Sequence, residues 1–104
     1  MEAPAELVSY HQSGLPLICE VDGTIDCEFW PLEDLATLNR EYEVPKYALG
    51  YFGFATNGGG EMFAFGPGGD IVCLPFIGME PKSAKRIAGS FHEFRKLLAP
   101  ISMG

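Results

Sequence analysis

Leu15-Pro16-Leu17-Ile18-Cys19-Glu20-Val21-Asp22-Gly23-Thr24-Ile25-Asp26-Cys27-Glu28-Phe29-Trp30 is the stretch whose reading decides the fold. Two runs rich in apolar and β-branched residues flank Asp22-Gly23, a strong short-range hairpin signal. The runs predict strands from Leu15 to Val21 and from Thr24 to Trp30. A two-residue loop would set Leu17 and Cys19 beside Glu28 and Asp26, mixing core and solvent residues on one face. A three-residue loop, Val21-Asp22-Gly23 with a left-handed glycine, gathers Leu15, Leu17, Cys19, Ile25, Cys27 and Phe29 together. Glu20, Thr24, Asp26 and Glu28 then share the other face, with Ile18 as its apolar exception. A slip of one residue would bury those carboxylates, so the longer loop is the prediction.

Working outward, the pattern predicts a helix from Pro31 to Tyr42. Proline suits its first position, Glu33 and Asp34 favour the positive end of its dipole, and Leu32, Leu35, Leu38 and Tyr42 form a stripe. Strands from Ala48 to Thr56 and from Glu61 to Phe65 flank Asn57-Gly58-Gly59-Gly60, and a third runs from Ile71 to Ile77. All three are apolar on both alternations, which places them at the centre of a sheet covered on both faces. A short first helix, Pro4 to Gln12, carries Leu7, Val8 and His11 along one side. Ser90-Phe91-His92-Glu93 reads as a capping box opening a last helix, with Phe91, Phe94, Leu97 and Leu98 buried and Pro100 ending it. The expectation is one α+β domain over residues 1–104. Its sheet is antiparallel, with a mixed one left open, and has about five strands, a middle helix and a C-terminal helix.

Composition narrows the function. At 104 residues, surface scaling gives about 5,700 Å² exposed when folded, room for one real core. With 47% hydrophobic and 12% aromatic residues the chain is not disordered. It has no apolar run long enough to span a membrane, and its first residues lack a signal-peptide pattern, so a cytoplasmic location is expected. The net charge of −7 is uneven: residues 1–43 hold ten acids against Arg40 alone, whereas residues 44–104 hold four acids against six bases. An acidic front half argues against nucleic acid as a direct ligand and favours a basic protein partner, the plain alternative being solubility.

Chemistry-bearing motifs are scarce. Cys19, Cys27 and Cys73 are odd in number and lack metal-ligand spacing, so they read as reduced core thiols. Asn57-Gly58-Gly59-Gly60 runs into a strand rather than a helix, which suits a turn and not a phosphate cradle. His11 and His92 have no nucleophile or carboxylate partner at catalytic spacing, and Glu33-Asp34 read as ordinary first-turn acids. No catalytic residue, cofactor site or metal site is expected. Trp30, at a strand-to-helix corner, reads as a packing anchor, or as a binding anchor if it is exposed beside Glu28.

Several strings occur together in a telling order: Cys27-Glu28-Phe29-Trp30-Pro31-Leu32-Glu33-Asp34-Leu35, then Leu38-Asn39-Arg40-Glu41-Tyr42-Glu43-Val44. Phe54 to Phe65 with its Gly58-Gly59-Gly60-Glu61 turn, Val72 to Met79, and Ser90-Phe91-x-Glu93-Phe94 follow. Over about residues 13–98 the chain resembles the SUKH superfamily. The resemblance implies a non-enzymatic domain with a core at 13–98, a short N-terminal helix or arm at 1–12 and a tail at 99–104. It implies an immunity-type protein that neutralises a toxin of the nuclease or deaminase class by binding it. Its alternative is a regulatory or scaffold module, as in fungal cell-wall synthesis. Relatives carry more helix before the first strand, so this chain is expected to have a poorly covered sheet face and to self-associate through it. The residues expected to contact a basic toxin are Glu20, Asp26, Glu28, Glu33 and Glu61, with Trp30 as anchor.

Overall fold

The structure is a computed structural model describing residues 3–101; Met1, Glu2 and the last three residues of the expected tail lie outside them. The elements run α1 (Ala5–Gln12), β1 (Ile18–Val21), β2 (Ile25–Phe29), a 3-10 turn (Leu32–Asp34), α2 (Leu35–Glu41), α3 (Val44–Tyr47) and β3 (Phe52–Thr56). β4 (Glu61–Phe65), β5 (Ile71–Pro75), a second 3-10 turn (Pro81–Ser83), β6 (Lys85–Ala88), α4 (Phe91–Leu97) and β7 (Leu98–Pro100) complete the order. The strands form one sheet in the order β6-β5-β4-β3-β2-β1-β7, and every neighbouring pair described is antiparallel. The α+β class and the single domain are as expected, but among the described residues the sheet has seven strands rather than five.

The two extra strands are both edges. β6 reads Lys85-Arg86-Ile87-Ala88, and its charges suit an unpaired rim. β7 contains Pro100, expected to be a helix stop; an edge strand tolerates proline because one side of its backbone needs no partner. The chain leaves α4 and pairs Leu98 with Val21, closing the sheet's far side.

The hairpin has three loop residues, as predicted, but they are Asp22-Gly23-Thr24. Val21 pairs with Ile25, Glu20 with Asp26 and Cys19 with Cys27. Val21 stays in the strand because its side chain is core, 1% exposed, and Asp22 joins Gly23 in the left-handed region. The shift is an even one, so the predicted faces survive.

One face of the sheet lies under α1 and α4. Tyr10 stacks on Phe29 at 4.6 Å between ring centroids and meets Phe91 edge-on at 6.0 Å, while Phe63 and Phe65 pack against Phe94 and Phe91. The buried side of α1 is therefore Leu7 and Tyr10, not Leu7, Val8 and His11. On this face the short first helix suffices as cover because a large aromatic ring reaches across to the sheet. The capping box forms at α4, where Glu93 N–H donates to Ser90 Oγ at 3.1 Å and the Glu93 carboxylate takes the Gly89 N–H at 3.0 Å.

α2 and α3 cover the opposite face over β3, β4 and β5, where Met62, Ala64, Val72 and Leu74 are buried. The single helix expected from Pro31 to Tyr42 is divided. Pro31 stays extended at ψ 144°, and a 3-10 turn intervenes before α2 begins at Leu35. Leu35 and Asn39, four residues apart, form its buried side. Tyr42, expected in the stripe, lies beyond the helix end and is 42% exposed.

Candidate functional site

Seven strands are wider than the α2–α3 layer, so the β7–β1–β2 side of that face has no helix above it. Alternation along β1 and β2 sends Ile18, Glu20, Asp26 and Glu28 to this open strip. Asp26 and Glu28 are exposed, Glu20 is half-buried, and Ile18 is 58% exposed in their midst. Pairing of β2 with β3 sets Thr56 directly beside Glu28. A shallow cleft of about 110 Å³ lies among Ile18, Asp26, Glu28, Thr56, Asn57 and Ile101.

The three carboxylates of the strip have no cation against them. Among the described residues the one ion pair is Lys85 Nζ to Glu61 Oε2, at 3.1 Å. Adjacent like charges on a sheet cost stability. They are tolerated here because water screens them.

The other expected contact residues are elsewhere. Glu61 alternates to the α1–α4 face, where it pairs with Lys85 and accepts from Asn57 Nδ2 at 3.2 Å. Glu33 is exposed on the 3-10 turn, away from the strip and close enough to His11 to favour the charged form of the imidazole. Trp30 takes the packing role of its two expected ones and not the binding role: at 8% exposure it is core, stacked on Tyr42 at 5.8 Å and packed against Gly53. An indole at a strand end turns inward when a glycine opposite leaves room for it. Thr56, Asn57 and Ile101 were missed. Only strand pairing brings them to the strip, and no local pattern marks it.

The cysteines are free and buried. Burial, with a smaller contribution from Cys19, pushes the Cys27 thiol far above its ordinary 9.0; burial raises Cys19 as well, and takes Cys73 to about 11. All three stay protonated near neutral pH and so lack the thiolate that nucleophilic chemistry needs. Among the described residues no three His, Cys, Asp or Glu side chains are grouped to hold a metal ion. Among the described residues no helix is long and apolar enough to cross a membrane.

His11 supplies a pH-sensitive element. Its Nε2 is buried without a hydrogen-bond partner, and its ring stands edge-on to Phe29 at 6.0 Å. Desolvation lowers its pKa below the ordinary 6.5, and the nearby Glu33 opposes this more weakly. Folding thus favours neutral imidazole, and the unfolded chain binds more protons below pH 6.5. Stability should fall as pH drops through that value and level off once the folded-state value is passed. Urea midpoints at about pH 7.5 and 5 should differ more for the natural chain than for His11→Gln; equal differences would remove His11 from this role.

No protein-family model matches the chain, and no curated protein matches it.

Proposed function

We propose that this protein is a non-enzymatic, immunity-type binding protein that neutralises a basic toxin domain in the cytoplasm. Its likeness to the SUKH superfamily supports the reading. The single observation that carries it is the open strip of Glu20, Asp26 and Glu28, unpaired beside an exposed Ile18. A nuclease or a deaminase acting on nucleic acid holds phosphates with Lys and Arg, and a carboxylate row around an apolar point complements such a surface. Opposite charge also speeds encounter, by one to three orders of magnitude at low salt. A second copy docked strip to strip would set these carboxylates against their own kind, which favours a different, basic protein as the occupant.

The test is co-expression with the toxin domain encoded beside the gene, read by growth rescue and co-purification. The natural chain should rescue growth. Asp26→Lys/Glu28→Lys, with its fold checked by circular dichroism, should abolish rescue and weaken binding by about a hundredfold or more. Unchanged affinity rejects the strip. A gene neighbourhood without a toxin moves the reading to a regulatory module.

A further inference from the structure

A second feature lies where α2 hands over to α3, against the loop that follows β5. A groove of about 420 Å³ opens there, lined by Glu41, Tyr42, Glu43, Tyr47, Phe76 and Met79. Its volume falls in the range of about 300–1,000 Å³ usual for small-ligand sites. The aromatic base is held in place: Tyr42 and Phe76 meet at 4.5 Å, and both rings stack on the buried Trp30. Tyr42 and Tyr47 keep 42% and 46% of their surface exposed. Among the described residues neither phenol has a hydrogen-bond partner, and Glu41 and Glu43 make no ion pair.

We propose that this groove receives an arginine side chain of a protein partner. A planar guanidinium can lie on a phenol or phenyl face and fork its donors to a carboxylate at the same time. The groove offers both, with two ring faces and two exposed carboxylates around one opening. A cation already uses one of these rings: Lys46 Nζ rests 5.1 Å from the centroid of Tyr47. Glu43 sits in the left-handed region at φ +56°, where glycine or asparagine is the easier choice. Beside the groove Ile77 is 93% exposed, an apolar contact for the chain that presents the arginine. The groove shares no residue with the strip of Glu20, Asp26 and Glu28, so it stands whether or not that strip binds a toxin.

The experiment titrates the ¹⁵N-labelled full chain with N-acetyl-arginine methylamide and follows backbone amide shifts. Saturable shifts confined to residues 41–47 and 76–79 are expected, and N-acetyl-lysine methylamide should bind more weakly. Glu43→Asn keeps a backbone that asparagine tolerates and should weaken arginine binding at least about threefold. Shifts that spread equally to residues 20, 26 and 28, or fail to saturate below about 100 mM, overturn the proposal, since bulk charge attraction then accounts for them. Lysine binding as tightly as arginine, or unchanged binding by Glu43→Asn, overturns it as well.

Discussion

Phe54→Ala is expected to destabilise the protein by about 3–5 kcal/mol, the cost of removing a fully buried phenyl ring. Phe54 is 0% exposed and is the ring on which the α1–α4 side of the core converges. Its centroid lies 5.6 Å from Phe29, 5.0 Å from Phe65, 6.0 Å from Phe91 and 5.7 Å from Phe94. These neighbours come from β2, β4 and α4, so no single element can relax to fill the cavity. The backbone adds a further reason. The ladder between β3 and β4 pairs Gly53 with Ala64 and then Ala55 with Phe63, leaving Phe54 at a bulge. A bulge tilts an extra side chain toward one face. With a domain stability of about 5–15 kcal/mol, such a loss should lower the midpoint of thermal unfolding by about 15–30 °C. Phe54→Leu, which keeps most of the volume, should lose less than half as much. A Phe54→Ala loss below about 1 kcal/mol would show that the aromatic cluster is not what holds α4 to the sheet.

Asn39→Ala is expected to cost about 2–5 kcal/mol, although it removes only one polar side chain. Asn39 is 2% exposed and bonds three times: Nδ2 donates to Leu35 O at 2.8 Å and to Gly53 O at 2.9 Å, and Oδ1 accepts the Gly53 N–H at 2.7 Å. Its amide thus serves Gly53 as a neighbouring strand would, at the place where β2 has ended and the bulge interrupts the ladder. Removing it leaves a buried N–H and a buried carbonyl unpaired, each costing about 1–3 kcal/mol. Asn39→Leu should be no better, because apolar volume cannot satisfy either group. Asn39→Asp adds a pH signature. Its carboxylate would be buried against a carbonyl, so its folded-state pKa would be raised, and stability should recover as pH falls and the group protonates. Denaturant titrations of the three variants at neutral and mildly acid pH test this. An Asn39→Ala chain within 0.5 kcal/mol of the natural one, the range of an ordinary surface change, would refute the role given to Asn39.

Trp30 joins Gly53, the residue that Asn39 holds, to the groove beside Tyr42 and Phe76. It packs on Gly53, where an added Cβ would come within 2.7 Å of Met62 Sδ and 3.2 Å of the indole, and it stacks beneath Tyr42 and Phe76. The packing reading of Trp30 thus holds, and its indole is the floor on which the second groove is built.

What the sequence determined alone is whatever short-range alternation and capping encode. Apolar residues on both alternations put β3, β4 and β5 at the centre, and Ser90 with Glu93 started α4. The parity of the hairpin sent Glu20, Asp26 and Glu28 to one face even though the loop lies one residue later than expected. Parity is robust because any even shift preserves it. Tertiary structure alone decided the rest. β6 and β7 are strands because a neighbour offers them free hydrogen-bonding groups, which no pattern within Lys85–Ala88 or Leu98–Pro100 encodes. Trp30 and Asn39 are buried because partners distant in sequence, Phe76 and Gly53, close over them. The strip is open because α2 and α3 stop short of β1 and β2. The periodicity of a segment says which of its sides seeks cover, and only the packed chain determines whether cover arrives.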